Sequence, residues 1–286
     1  VQARRFPARV LEIRGLGSNV WLTVHVEGWP GAAPGQFALV QAEPSSCFLA
    51  RPLSVSQEAD GESVSFLIAP IGQGTKELCS LMPGGNLSVT GPLGNGFPLS
   101  TMAGAHADRL VLVGGGAGVA PFPLLLKRLA VEEGLTRGLS EVVVLLGFRE
   151  AAQAEGAAPV VEAAAVLDGS GTRCRCVLAS EDGSVGIRGL VSRLVSAELR
   201  GNEAVAVCGP WAMAESVWNL CSAVRGVRAW FNLETFMACG VGSCHGCVIR
   251  LADGSLARVC AEGPVFTGRS IWESPTPPEE AHGGER

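Results

Sequence analysis

Three cysteines, Cys239, Cys244 and Cys247, crowd into nine positions, and a fourth, Cys260, follows after a gap of twelve residues. A chain that uses all four must wrap a tight loop around one point and bring a distant segment back to it. The loop reads Cys239-Gly240-Val241-Gly242-Ser243-Cys244-His245-Gly246-Cys247, and its three glycines supply the positive φ and close backbone approach that wrapping requires. A C-x4-C-x2-C run with a distant fourth Cys is the pattern by which four thiolates hold a [2Fe-2S] centre. The spacing therefore predicts Cys239, Cys244, Cys247 and Cys260 as metal ligands in a protein that moves single electrons. Structural zinc also takes four thiolates, usually from two short paired knuckles, and the second pair is missing here. A disulfide framework is a weaker reading still, because 286 residues can bury a core without staples.

The balance of 22 basic against 27 acidic residues, with no basic run interleaved with aromatics, argues against a nucleic-acid partner. The longest apolar stretch, residues 110–126, is interrupted by Gly114, Gly115, Gly116, Gly118, Pro121 and Pro123, so no membrane span is expected. Arg4, Arg5 and Arg9 near the start precede no apolar export segment, and a soluble cytoplasmic protein is the expectation.

Along the chain, residues 1–100 carry short alternating apolar segments at 10–13, 20–26, 37–41, 64–69 and 87–90 and almost no helical periodicity, which predicts an antiparallel barrel. From 101 to 226 the rhythm changes to strands at 109–113, 141–146, 175–179 and 204–208 alternating with helices at 121–133, 190–199 and 211–224, which predicts a doubly wound parallel sheet. Residues 151–171 read as helix and loop without clean periodicity. A small third domain is expected over 227–270 around the cysteines, with 271–286 a solvated tail.

Arg51-Pro52-Leu53-Ser54 ends a predicted barrel strand, where a guanidinium and a hydroxyl suit a diphosphate. Gly72-Gln73-Gly74-Thr75 can present successive N–H groups to an anion, and Gly91-Pro92-Leu93-Gly94-Asn95-Gly96-Phe97 is a further glycine loop; each is equally readable as a tight turn. Gly114-Gly115-Gly116-Ala117-Gly118-Val119-Ala120-Pro121 joins a buried strand to a helix, the placement that receives a dinucleotide pyrophosphate. Cys208-Gly209-Pro210 ends a later strand of the same sheet, where its thiol either packs beside a nicotinamide or fills core.

In this order these motifs resemble the ferredoxin–NADP reductase superfamily, and Cys239 through Cys247 with Val259-Cys260-Ala261-Glu262-Gly263-Pro264-Val265-Phe266 resemble, within it, the electron-transfer subunits of class 1B dihydroorotate dehydrogenases. The resemblance covers about residues 6–268. It implies an antiparallel β-barrel flavin domain, then an α/β doubly wound nucleotide-binding domain and a small C-terminal [2Fe-2S] domain. It also implies FAD held by Arg51, Pro52, Leu53 and Ser54, by Leu67, Ile68 and Ala69 through backbone groups, and by Gly74 and Thr75. Leu53 stands where many reductases of the superfamily carry Tyr, a residue this chain lacks throughout. By the same resemblance NAD is received by Gly115, Gly116, Gly118, Cys208 and Gly209, with Asp182-Gly183-Ser184 near its adenosine end. The implied partner is an FMN-containing dihydroorotate dehydrogenase catalytic subunit, two of each chain forming a heterotetramer in pyrimidine biosynthesis. Electrons from dihydroorotate would cross the cluster and FAD to NAD+.

Other assignments compete. A related NAD(P)H:ferredoxin oxidoreductase or sulfide dehydrogenase flavin subunit shares the layout but tends to carry Asp at the first cluster position, where this chain has Cys239. Oxygenase reductases usually place the last ligand further away. A nucleotide-binding module stapled by zinc would be colourless.

Overall fold

In the computed structural model, which describes residues 3–103 and 107–273, the first seven strands form one antiparallel sheet. They are β1 (Arg5–Leu16), β2 (Asn19–His25), β3 (Phe37–Ala42), β4 (Arg51–Ser54), β5 (Gln57–Ala59), β6 (Ser63–Ile68) and β7 (Asn86–Leu93), in the order β4-β3-β7-β1-β2-β6-β5. Alternation explains the curl. In β1, Phe6, Ala8 and Val10 point inward to meet Leu22, Val24, Phe66 and Val89, while their neighbours face water. One helix interrupts this domain: Gly72-Gln73-Gly74-Thr75 opens the helix Gln73–Cys79, where a plain turn was the competing expectation.

The second sheet joins β8 (Arg109–Gly115), β9 (Glu141–Phe148), β10 (Cys174–Ser180), β11 (Ile187–Arg188), β12 (Glu203–Cys208) and β13 (Arg228–Asn232), all parallel. Every residue of β8 and β12 is buried, as expected for strands covered by helices on both faces. The unperiodic stretch after β9 contains the helix Ala158–Gly169, which shows little apolar asymmetry because alanines occupy both faces.

The hairpin β14 (Val248–Arg250) with β15 (Leu256–Arg258) follows the cysteine loop, and β16 (Val265–Thr267) then returns to pair antiparallel with β13. The small third domain expected over 227–270 is rooted in the second sheet. Its first and last strands belong to the nucleotide-type sheet, so the cysteine segment is an excursion from that sheet's edge. The stretch expected as a solvated tail, 271–286, starts within a helix. The helix Gly268–Trp272 buries Ile271, and Trp272 stacks on Trp218 at a centroid distance of 6.1 Å and meets Phe231 edge-on at 4.7 Å. Residues 274–286 lie outside the described residues.

An apolar seam joins barrel and sheet: Leu16, Trp21 and Leu67 share one core with Leu112, Phe122 and Leu146, and Leu124 enters the barrel core. At the N-terminal edge of the second sheet, Arg109 is almost wholly buried and bonds Glu141 at 2.9 Å and Glu198 at 2.6 Å, with Arg175 reaching both carboxylates. Burial pushes the pKa of Glu141 and of Glu198 up, but the guanidinium hydrogen bonds outweigh it and hold both below the usual carboxylate range. Among the described residues no helix is long and apolar enough to cross a membrane.

Candidate cofactor sites between barrel, sheet and cysteine loop

The order β11-β10-β9-β8-β12-β13-β16 reverses direction between β8 and β12, and open α/β sheets bind ligands at the strand carboxyl ends beside such a reversal. There the register pairs Gly114 with Cys208, which sets the glycine turn directly against Cys208-Gly209. The approach is close enough to dictate composition: a Cβ on Gly118 would lie 2.5 Å from the Cys208 carbonyl oxygen and from the Gly209 Cα. Gly116, with φ of +55°, re-aims the chain into its short 3-10 turn.

A cavity of about 660 Å³ opens over this turn, bordered by Gly115, Gly116, Ala117, Met213 and Glu234 from the sheet domain and by Ser18, Asn19, Ala69 and Ile71 from the barrel. Sequence reasoning singled out two of the glycines and Ala69 but missed Glu234, Met213 and the barrel hairpin residues. Only docking of the domains brings those together, through Ser18 N–H donating to the Ala152 carbonyl and Asn19 Nδ2 to that of Gln153. Glu234 is crowded by protein while remaining open to the cavity, and desolvation raises its pKa. Cys208 lies beneath the turn, 1% exposed, and burial drives its thiol pKa well above 9, so it packs as a neutral thiol. Leu67 and Ile68 are buried in the sheet, paired with Trp21 and Val20, and only Ala69 of the three reaches the cavity.

Arg51, Pro52, Leu53 and Ser54 form the edge strand β4, all half-buried. The Arg51 guanidinium donates through Nη2 to the Leu49 carbonyl at 2.7 Å, yet its Nε is buried without any partner. An orphaned buried donor is costly and marks a place built for an acceptor from outside the chain. Gly74 makes the room: a Cβ there would stand 2.4 Å from that Nε. Thr75 spends its hydroxyl locally, donating to the Gly72 carbonyl and accepting from the Gly72 N–H. An anionic diphosphate, as in FAD, fits Arg51 and the start of this helix. The loop 91–97 serves otherwise. Asn95 donates from its backbone N–H to Gly263 at 2.6 Å, and from Nδ2 to the carbonyls of Ala261 and Glu262, so that loop clamps the cysteine segment.

The four cysteines lie as two close pairs, Cys239 with Cys244 and Cys247 with Cys260. Cys247 Sγ and Cys260 Sγ lie 3.2 Å apart, and the Gly242 N–H donates to Cys260 Sγ at 3.1 Å. Cys244 donates its N–H to Cys239 Sγ at 3.4 Å, and Gly246 does the same to Cys244 Sγ. Burial raises the Cys239 pKa, but the amides of Val241 and Cys244 outweigh it and bring the thiol down to about 6, whereas burial and the Cys247 thiol push Cys260 up to about 12. Among the described residues no three such side chains converge on one ion, and a two-iron centre asks instead for thiolates in pairs, Cys239 with Cys244 and Cys247 with Cys260. Donors already aimed at the sulfurs suit that anionic centre. Arg258, which sequence reasoning passed over, holds the loop by donating to the Gly242 carbonyl at 3.1 Å while pairing with Glu262.

The residues 234–271 match the family described as the iron-sulfur cluster binding domain of dihydroorotate dehydrogenase B. Over 93% of this chain and 98% of the relative, the sequence is 32% identical to the dihydroorotate dehydrogenase B (NAD(+)) electron transfer subunit of Caldanaerobacter subterraneus subsp. tengcongensis. The chain belongs to this family of electron transfer subunits. The corresponding subunit of Geobacillus thermodenitrificans is 36% identical over 83% of this chain and 86% of its own. Among solved structures, a chain of the NADH-dependent reduced ferredoxin-NADP oxidoreductase superposes with a TM-score of 0.74 at 22% identity, covering 92% of this chain and 88% of its own. A ferredoxin NADP+ reductase from Neisseria gonorrhoeae, with bound FAD and NADP, gives 0.64 at 14% identity over 78% of this chain and 92% of its own. For this member of the family, the ferredoxin-reductase fold and the cysteine-bearing C-terminal segment follow from these matches.

Proposed function

We propose that this chain is the electron-carrying half of a cytoplasmic dihydroorotate dehydrogenase of pyrimidine biosynthesis. It receives electrons from dihydroorotate, oxidised on an FMN-containing catalytic subunit in a complex of two copies of each chain, and delivers them to NAD+. When bound, the iron-sulfur centre handles electrons singly and FAD combines them so that they leave as a hydride. Cys239, Cys244, Cys247 and Cys260 would hold the first group. Arg51 and Gly74 would seat the diphosphate of the second, with Pro52, Leu53 and Ser54 beside its ring. Gly115 and Gly116 would present backbone to the NAD pyrophosphate, while Gly118, Cys208 and Gly209 keep turn and strand end in contact.

The observation that carries the reading is the seat of the cysteine loop. Gly240, with φ of +67°, packs so tightly on the barrel that a Cβ would stand 2.9 Å from Leu39 and 3.0 Å from Leu93, and Leu39 pairs directly with Pro52 of β4. The iron-binding loop and the strand carrying Arg51 therefore share one wall, which keeps the electron path short. The test is co-purification with the candidate catalytic subunit, followed by dihydroorotate-dependent reduction of NAD+ by the fully loaded complex. Reduction at a rate that vanishes without either subunit is expected; a loaded complex that fails to couple the two substrates would refute the proposal.

A further inference from the structure

An iron-sulfur centre becomes one charge more negative when it is reduced, and its potential follows the hydrogen bonds to its sulfurs and the net charge around it. Beside the cysteine loop one cation is gripped from two sides. Arg258 donates through Nε to both oxygens of the Glu262 carboxylate, at 3.1 and 3.0 Å, and through Nη2 to Oε1. Its Nη1, on the other side of the planar fork, donates to the Gly242 carbonyl at 3.1 Å. The guanidinium therefore stands between the carboxylate and the loop.

Gly242 links that charge to the sulfurs. Its carbonyl accepts from Arg258 while its own N–H donates to Cys260 Sγ at 3.1 Å, so a single residue separates the cation from a ligand. Only glycine suits the position: its φ is +80°, and a Cβ would lie 3.1 Å from Arg258 Nη1 and 3.3 Å from Cζ. Glu262 and, after it, the thiols of Cys260 and Cys247 raise the Arg258 pKa, which keeps the guanidinium charged. Glu262 is fixed in turn, accepting from the Arg258 backbone N–H at 2.6 Å, while its carbonyl accepts from Asn95 Nδ2 at 3.0 Å. The two side chains are 37% and 40% exposed, and an ion pair so open to water adds little stability. What distinguishes this pair is its contact with the ligand loop.

We propose that Arg258 sets the reduction potential of the iron-sulfur centre, its charge favouring the reduced form across the Gly242 backbone, and that Glu262 offsets part of this effect. A centre biased in this way takes an electron from its donor more readily. Arg258 acts through the loop rather than on iron, so it is a positioning residue. This inference rests on reading Cys239, Cys244, Cys247 and Cys260 as the ligands of a [2Fe-2S] centre.

The test is a potentiometric titration of the full chain loaded with flavin and iron-sulfur centre, following the paramagnetic signal of the reduced centre in wild type, Arg258→Gln, Arg258→Lys and Glu262→Gln. Arg258→Gln should make the centre about tenfold harder to reduce, which lowers a one-electron midpoint by about 59 mV. Arg258→Lys keeps the charge and should recover about half of that shift or more. Glu262→Gln should move the midpoint upward, whereas a pair that merely holds the loop would move it the same way from either side. A reduction equilibrium within about twofold of wild type in Arg258→Gln overturns the inference, as does a lysine variant as low as the glutamine one or a Glu262→Gln midpoint that fails to rise. Where Arg258→Gln does not assemble the centre, the other two variants decide: a lysine midpoint within about threefold of wild type together with a rise in Glu262→Gln supports the inference, and any other result overturns it. Reduced wild type without a paramagnetic signal overturns it together with the cluster reading, whereas a signal whose midpoint ignores Arg258 overturns the tuning role alone.

Discussion

Replacing Gly74 with alanine isolates what the orphaned donor of Arg51 is for. The added Cβ would lie 2.4 Å from Arg51 Nε, 3.0 Å from Cζ and 3.2 Å from Cδ, so the guanidinium must swing away while its Nη2 tether to Leu49 resists. A hydrogen bond to a charged group contributes about 1.5–3 kcal/mol, and its loss corresponds to roughly 10- to 150-fold weaker binding of the diphosphate cofactor. Apo-protein stability should move little or rise, because alanine inside a helix is favoured over glycine by about 0.5–1 kcal/mol. The measurement is recovery of flavin fluorescence on titrating FAD with apo-protein, beside thermal melts of both apo forms. A variant that binds FAD within about twofold of wild type would show that the unpaired nitrogen serves something other than the cofactor.

Arg109→Met should cost up to about 3–5 kcal/mol at neutral pH by removing the buried cation between Glu141 and Glu198 and leaving them the more exposed Arg175 as their shared partner. Their folded pKa values are depressed, so the stabilisation is present above about pH 4.5 and is lost as pH falls through the folded values; the variant's deficit in denaturant midpoint should narrow on acidification. A deficit that widens towards acid would contradict this assignment. Cys244→Ala, at an exposed position, should abolish the [2Fe-2S] absorbance and the paramagnetic signal of the reduced centre while leaving flavin bound; undiminished signal would remove it from the ligand set. Ile271→Ala should destabilise by about 2–5 kcal/mol in denaturant melts, where a solvated residue would cost almost nothing.

The sites closest to the chain's local chemistry were the most legible. The glycine turn after β8 announces itself because a buried strand, glycines and a helix follow one another directly, and the cysteine loop because its spacing admits few alternatives. Glu234, Ser18 and Ile71 carry no local signal, since the cavity they border exists only once barrel and sheet dock. Residues 91–97, a glycine loop equally readable as a tight turn, are shaped by the approach of Pro264, 2.5 Å from where a Gly94 Cβ would be. Leu67 and Ile68 were expected to line a flavin through backbone groups; strand alternation turns the Leu67 side chain into the seam and that of Ile68 into the barrel core. The short strand β16 was invisible because three residues carry no period, although it decides where the third segment belongs.

Because β13 and β16 root the cysteine excursion in one domain while Asn95 fastens it to the other by three hydrogen bonds, the excursion acts as a strut across the junction. Any hinge between barrel and sheet would have to break that strut. Electron tunnelling falls steeply with separation, so a frame unable to flex keeps the donor-to-acceptor gap, and hence the transfer rate, constant while nucleotides come and go.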